Sequence, residues 1–165
     1  MKDDYSEFYD PELVAVYNTV CVLDGYEQFY FRLAKEVKAK TIVDIGCGTG
    51  LITCALAKQG YTTIGVEPSK LMLDVARTSP YGDKVQWIEG YASSLQAFNA
   101  DLAIMTAHVA QFLLEKKELK ATLNAIHTAL RPGGYLAFES RNPAVSPWVT
   151  KKKQDSKDWY APDFR

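Results

Sequence analysis

The densest chemistry in the chain lies in Val43-Asp44-Ile45-Gly46-Cys47-Gly48-Thr49-Gly50, where glycines occupy alternate positions directly after a β-branched run. Missing Cβ atoms let a ligand approach the backbone N–H groups, and a loop that opens a helix presents those groups with partial positive charge. The loop is therefore expected to favour an anionic ligand group. Glu67 stands twenty-one residues after Gly46, at the end of a second β-branched run, and is placed to accept hydrogen bonds from paired ribose hydroxyls. The combination points to a nucleoside. A dinucleotide fingerprint requires glycine or alanine at position 51, and this chain has Leu51, which disfavours that class. Downstream, His108 is the one histidine near this predicted site and the candidate proton acceptor. Its competing role is a helix-start histidine bonded to backbone. Cys47 sits beside a helix N-terminus, where thiol pKa values fall, yet it reads better as small loop filler than as a nucleophile.

These residues must be held by strands and helices that alternate. Residues 8–37 read as two helical pieces, marked by Leu13, Val16 and Tyr17 and then by Phe29, Phe31, Leu33 and Val37. Thr41 to Ile45 is a first strand, Leu51 to Gln59 a helix closed by Gly60, and Tyr61 to Val66 a second strand. Pro68 and Ser69 open a helix through about Thr78, which Ser79-Pro80-Tyr81-Gly82 breaks. Val85 to Ile88 and Asp101 to Met105 are further strands. Leu119, Leu123, Ile126 and Leu130 mark one face of a helix from about Lys116, expected to stop at Arg131-Pro-Gly-Gly, and Tyr135 to Glu139 is a fifth strand. Strands and helices alternating at this spacing imply right-handed crossovers and a mostly parallel sheet of about five strands, covered on both faces. The expected architecture is a three-layer α/β/α sandwich of the Rossmann-like class, and ligands bind such sheets beyond the carboxyl ends of their strands.

The chain's 165 residues suit one domain with a self-sufficient core. Nineteen Lys and Arg against twenty Asp and Glu leave a net charge of −1, so no global positive field collects nucleic acid or anionic membrane. Cys21, Cys47 and Cys54 are odd in number and follow no metal-ligand spacing, which argues against a disulfide scaffold and a zinc site. Residues 1–7 show no signal-peptide pattern, and no run approaches the roughly 18 apolar residues of a membrane span. A cytoplasmic protein is expected.

Taken together, the motifs resemble the class I S-adenosylmethionine-dependent methyltransferases. Val43 to Gly50 is similar to the family's first motif and Ile64-Gly-Val-Glu-Pro-Ser69 to its second-strand motif. Leu71-Met72-Leu73 with Ala76-Arg77 resembles its adenine-side helix, and Leu130-Arg-Pro-Gly-Gly134 its approach to the fifth strand. These four matches run in order over about 90 residues. Met105-Thr-Ala-His-Val-Ala-Gln-Phe112 and Phe138-Glu-Ser-Arg-Asn-Pro143 further resemble a bacterial small-molecule subgroup.

The resemblance implies S-adenosylmethionine as cofactor. Gly46, Cys47, Gly48, Thr49 and Gly50 would border its amino-acid end, with Asp44 anchoring the loop or accepting from the α-amino group. Glu67 would take the ribose, with Pro68 beside it, and Met72 would pack on the adenine next to the Gly90-Tyr91-Ala92 turn. Tyr91 stands where many members carry an acidic side chain, leaving the backbone of Ala92 for adenine. Thr106, Ala107 and His108 would lie at the sulfonium and the acceptor, and the segment carrying Tyr5, Tyr9 and Tyr17 would cap the pocket or simply pack as helix. The implied activity is methyl transfer to a small molecule by in-line displacement.

Domain organisation is read as a cofactor-binding domain over 1–143, with a helical cap at about 8–38, and an aperiodic tail over 144–165. The tail holds Lys151-Lys152-Lys153, read as solvated, and the aromatics Trp148, Trp159, Tyr160 and Phe164, read as packing against something. Complete relatives normally add two strands after the fifth, and none is legible here, so a shortened chain is expected. His127 is assigned no role beyond the end of its helix. The alternatives are a cofactor-binding regulatory or inactive module and, less favoured, an NAD-dependent oxidoreductase.

Overall fold

The computed structural model describes residues 8–142. Five helices and five strands follow one another as α1 (Pro11–Val20), α2 (Glu27–Glu36), β1 (Thr41–Ile45), α3 (Leu51–Lys58), β2 (Thr62–Glu67), α4 (Lys70–Thr78), β3 (Val85–Glu89), β4 (Ala100–Met105), α5 (Lys116–Ala129) and β5 (Leu130–Phe138). Helix starts follow local chemistry. Asp10 caps α1 by accepting from the N–H groups of Glu12 and Leu13, with Pro11 in the first turn, and Ser69 caps α4 by accepting from Met72 N–H. Gly60 closes α3 in the left-handed conformation at φ 90°, as expected of a residue just past a helix end.

The strands form one sheet in the order β3-β2-β1-β4-β5, and all four pairings are parallel. Strand order reverses at β1, whose neighbours are β2 and β4, so the crevice at its carboxyl end is the place for a ligand. One face of the sheet, with Ile42, Leu102 and Ile104, packs against Tyr30 and Ala34 of α2 and Ile52 and Leu56 of α3. The other, with Val43, Ile45, Ile64, Val66, Ala103 and Met105, packs against Ile126 of α5 and the turn at Ala92. This is the three-layer sandwich expected, each strand contributing alternate residues to the two layers.

Two expectations need correction. Arg131-Pro-Gly-Gly is not the loop that stops α5: the helix ends at Ala129 and the four residues already belong to β5. They form an irregularity in which two steps along β4, Ala100 to Leu102, face five along β5, Leu130 to Tyr135. Its anchor is Asp101, which accepts from Arg131 Nε at 2.6 Å and from the N–H groups of Lys40 and Thr41 at 2.7 and 2.9 Å. Burial alone would raise the Asp101 carboxyl, but these donors hold it at about 2. One carboxylate thus ties β1, β4 and β5 together at their amino-terminal side. The second correction concerns Leu123, which is exposed, because Ala125, Ile126 and Ala129 provide the inward face of α5. The expected tail at 144–165, like Tyr5 and Pro143, lies outside the described residues.

Candidate active site

The three loop glycines do different work. All have positive φ: 72° at Gly46, 55° at Gly48 and 75° at Gly50. A Cβ on Gly46 would meet the Val109 side chain at 2.6 Å, and one on Gly50 would meet Trp87 at 2.6 Å and Ala76 at 3.1 Å. Those two glycines make room for protein. Of the three, only Gly48 has open space on the Cβ side and so leaves room for a ligand to approach. The loop is braced from β2, where the Val66 carbonyl accepts from the N–H groups of Gly46 and Cys47 at 2.8 and 3.2 Å.

Two buried carboxylates define the electrostatics. Glu67 accepts from Gly48 N–H at 3.0 Å and, through its other oxygen, from Ser69 N–H at 2.9 Å, so it bridges the first loop to the cap of α4. Burial raises its pKa, and the two backbone donors partly offset the rise. Asp44, 1% exposed, accepts from Thr53 Oγ1 at 2.7 Å through Oδ2, while Oδ1 is buried without a partner. Burial pushes this carboxyl up to about 7 against the pull of the Thr53 hydroxyl, with the Glu67 charge adding to the rise. The expectation of an anionic ligand group is corrected here: Glu67 already takes the Gly48 N–H, and no cationic side chain among the described residues bonds to either carboxylate. The site calls for a ligand rich in donors and carrying positive charge, which opposes the pyrophosphate of a dinucleotide.

The remaining predicted cofactor residues divide. Pro68 is half-buried beside Glu67, and Ala92 is buried at the turn that follows β3. Tyr91 is exposed and hydrogen-bonded to Tyr9, which lies just before α1. Met72 is fully buried within the protein rather than open to the crevice. Thr49 turns its hydroxyl away to donate to Asn18 Oδ1 of α1 at 2.5 Å. Cys47 Sγ packs towards Gly65, and burial, reinforced by the Asp44 and Glu67 charges, pushes its thiol well above the ordinary range. A buried thiol kept protonated is poorly suited to nucleophilic attack. The N-terminal segment does lie over this region: Ser69 Oγ donates to the Phe8 carbonyl, and the Phe8 ring meets Tyr17 and Phe112 edge-on at 6.3 and 5.9 Å.

At the ends of β4 and β5 a second group assembles. Thr106 is buried, and Ala107 and His108 follow in the left-handed region at φ 51° and 66°. Two successive non-glycine residues there cost about 1–2 kcal/mol each, a strain that clusters at functional sites. His108 Nδ1 is buried without a hydrogen bond and lies 3.8 Å from Glu139 Oε1. The other Glu139 oxygen accepts from the Tyr30 hydroxyl of α2 at 3.0 Å. Burial, then the Glu139 charge and this hydrogen bond, hold the Tyr30 phenol far above its usual range, and burial together with Asp44 and Glu139 does the same for Tyr26. Sequence reasoning assigned no role to Glu139, Tyr30, Thr53 or Asn18, and gave Ser69 only the opening of α4. Glu139 had a usable signal, since it follows the last residue of β5 at the carboxyl edge where such sheets bind ligands.

Against known proteins, a family model described as a methyltransferase domain matches residues 42–134. A protein of Geobacillus sp. (strain WCH70) that carries a methyltransferase name is 30% identical over 122 residues, 70% of this chain and 49% of that one. Cypemycin N-terminal methyltransferase of a Streptomyces species is 30% identical over 112 residues, covering 67% of this chain and 45% of the relative. The crystal structure of a TehB-like SAM-dependent methyltransferase from Corynebacterium glutamicum superposes with a TM-score of 0.64 at 25% identity, over 81% of this chain and 71% of that one. The chain spans about half the length of the curated relatives it matches.

Proposed function

We propose that this chain, which belongs to the methyltransferase-domain family, holds S-adenosylmethionine at the β1–α3 turn and serves the transfer of its methyl group to a small-molecule acceptor. The observation that carries the reading is Asp44 Oδ1, a buried carboxylate oxygen with no partner, held in place through Oδ2 by Thr53. A buried unpartnered acceptor is costly in the absence of a ligand, and the α-amino group of the cofactor is a donor of the right charge. When bound, S-adenosylmethionine supplies a methyl group on a sulfonium, a leaving group already activated. The chain's own residues bind and orient.

Gly48, with Gly46, Cys47, Thr49 and Gly50 as backbone, forms the wall for the amino-acid end. Glu67 spends one lone pair of each oxygen on Gly48 and Ser69 and keeps a second on each for ribose hydroxyls. Pro68, Met72, Tyr91 and Ala92 belong to the adenine side, and for Met72 a rearrangement of its buried side chain is part of the proposal. Thr106 and His108 form the end that meets the acceptor. Alignment of the nucleophile in a site shielded from water is the main catalytic demand for such a transfer.

A small acceptor suits a chain of net charge −1 better than a nucleic acid does. Residues 1–143 are taken as the domain that carries the site, and the cytoplasm as its location. No helix among the described residues is long and apolar enough to cross a membrane. Calorimetric titration with S-adenosylhomocysteine, with NAD as control, tests the reading. Micromolar 1:1 binding of the first and none of the second supports it; the reverse order, or no binding of the first by folded protein, refutes it.

A further inference from the structure

Resting on that reading of the site, we propose that Glu139 and Tyr30 position His108 as the base for a hydroxyl acceptor, which makes the transfer an O-methylation. Three observations carry this. His108 Nδ1 is buried, lacks a hydrogen bond and faces Glu139 Oε1 at 3.8 Å. Glu139 is in turn held through its second oxygen by the Tyr30 hydroxyl at 3.0 Å, from a helix 109 residues away in sequence. Finally, His108 is presented by two left-handed residues at the carboxyl end of β4, where the sheet places its ligand.

The arrangement is a base oriented by a third group. At 3.8 Å the His108–Glu139 contact is longer than a hydrogen bond, a looseness common in ligand-free sites that tightens on loading. A carboxylate facing Nδ1 keeps the ring proton on that nitrogen and leaves Nε2 as the lone-pair donor. Tyr30 restrains the carboxylate so that the contact survives ring motion.

The chemistry selects the acceptor. An ammonium acceptor can lose its proton to water before it binds and then attack with the free lone pair, whereas a hydroxyl stays a weak nucleophile unless a base takes its proton as the new bond forms. In the transfer the acceptor oxygen bonds to the methyl carbon, the carbon–sulfur bond yields its electron pair to sulfur, and the hydroxyl proton passes to His108 Nε2. The imidazolium so formed faces Glu139. Product release returns the proton to solvent, so no further reactant is needed.

The direct test is the ring tautomer. The chain holds two histidines, and a His127→Gln background leaves His108 as the source of the imidazole signals in long-range proton–nitrogen NMR. Spectra of the free protein and of its S-adenosylhomocysteine complex are expected to show the neutral ring protonated on Nδ1. Glu139→Ala should return it to the Nε2-protonated form preferred in water, and Tyr30→Phe, which releases the carboxylate, should give a mixture of the two tautomers and serves as the test where Glu139→Ala does not fold; an unchanged Nδ1–H ring in folded Tyr30→Phe overturns the part assigned to Tyr30. An Nε2-protonated ring in the unsubstituted site, or no change in a folded Glu139→Ala variant, overturns the positioning role.

The acceptor class is read separately, with a deuteromethyl-labelled donor and an extract of small metabolites analysed by mass spectrometry. Labelled methyl ethers, reduced at least about tenfold by Glu139→Ala, are the expected products. Labelled amines or thiols alone, or no labelled product from an enzyme that binds S-adenosylhomocysteine, overturn the assignment. Failure to bind S-adenosylhomocysteine defeats the cofactor reading instead, and the tautomer of the free protein still reports on Glu139.

Discussion

Thr53 and Asp44 form a half-satisfied pair: the threonine hydroxyl donates to Oδ2 at 2.7 Å, and Oδ1 of the same buried carboxylate has no partner. A structural aspartate would have both oxygens paired. The pair links the first turn of α3 to the end of β1, so the fold itself aims the free oxygen.

The first prediction concerns stability and pH. Burial lifts Asp44 from an ordinary carboxyl value to about 7 in the folded chain. Between about pH 4 and 7 the folded state therefore keeps a proton that the unfolded state releases, and stability falls as pH rises through that window. From pH 5 to pH 7.5 the unfolding free energy from urea titration should drop for the unsubstituted protein by on the order of 1–3 kcal/mol more than for Asp44→Asn. An equal pH response in both would refute the assignment of this proton to Asp44.

Glu67→Ala removes the acceptor for Gly48 and Ser69 N–H as well as the candidate ribose partner. Affinity for S-adenosylhomocysteine is expected to weaken by about 1–3 kcal/mol. Unchanged calorimetric affinity would count against the ribose role.

The glycines should separate by mechanism. Gly48→Ala meets open space and carries only the strain of φ 55°, about 1–2 kcal/mol of stability, yet it should cost ligand affinity disproportionately. Gly46→Ala collides with Val109, so Val109→Ala should recover part of its lost melting temperature and do nothing for Gly48→Ala. Additive effects of Gly46→Ala and Val109→Ala would show that the contact is not responsible.

Asp101 provides a control on the opposite edge of the sheet. Its three donors hold it at about 2, so its contribution to stability is present above pH 4 and lost as pH falls towards 2. Asp101→Asn is expected to lower the urea midpoint by the equivalent of about 1–3 kcal/mol at pH 7 and to leave S-adenosylhomocysteine affinity unchanged. A loss of affinity in the folded variant would tie this edge to the site.

Much of this organisation is written in local sequence. The β-branched run at Thr41 to Ile45, the glycines that follow and Ser69 before α4 each specify a strand, a turn or a cap through residues a few positions apart, and the structure has them. What escaped is non-local. The bulge at Arg131-Pro-Gly-Gly depends on Asp101, thirty residues earlier, and the Tyr30–Glu139 bond spans 109 residues. Nor does the loop motif say that Val109 and Trp87 fill the space beside Gly46 and Gly50, or that Glu67 takes the Gly48 N–H and turns an apparent anion site into one that calls for positive charge.

The central claim is that Asp44 Oδ1 receives the cationic amino group of the cofactor, and proton linkage tests it most directly. Titration calorimetry with S-adenosylhomocysteine at pH 6, run in two buffers of different ionisation heat, measures protons exchanged on binding. Because the free Asp44 carboxyl sits at about 7 and binding requires it ionised, the account predicts release of most of one proton, and none from Asp44→Asn, whose affinity is also weaker. Binding with no proton released, or with the same release from Asp44→Asn, would contradict it.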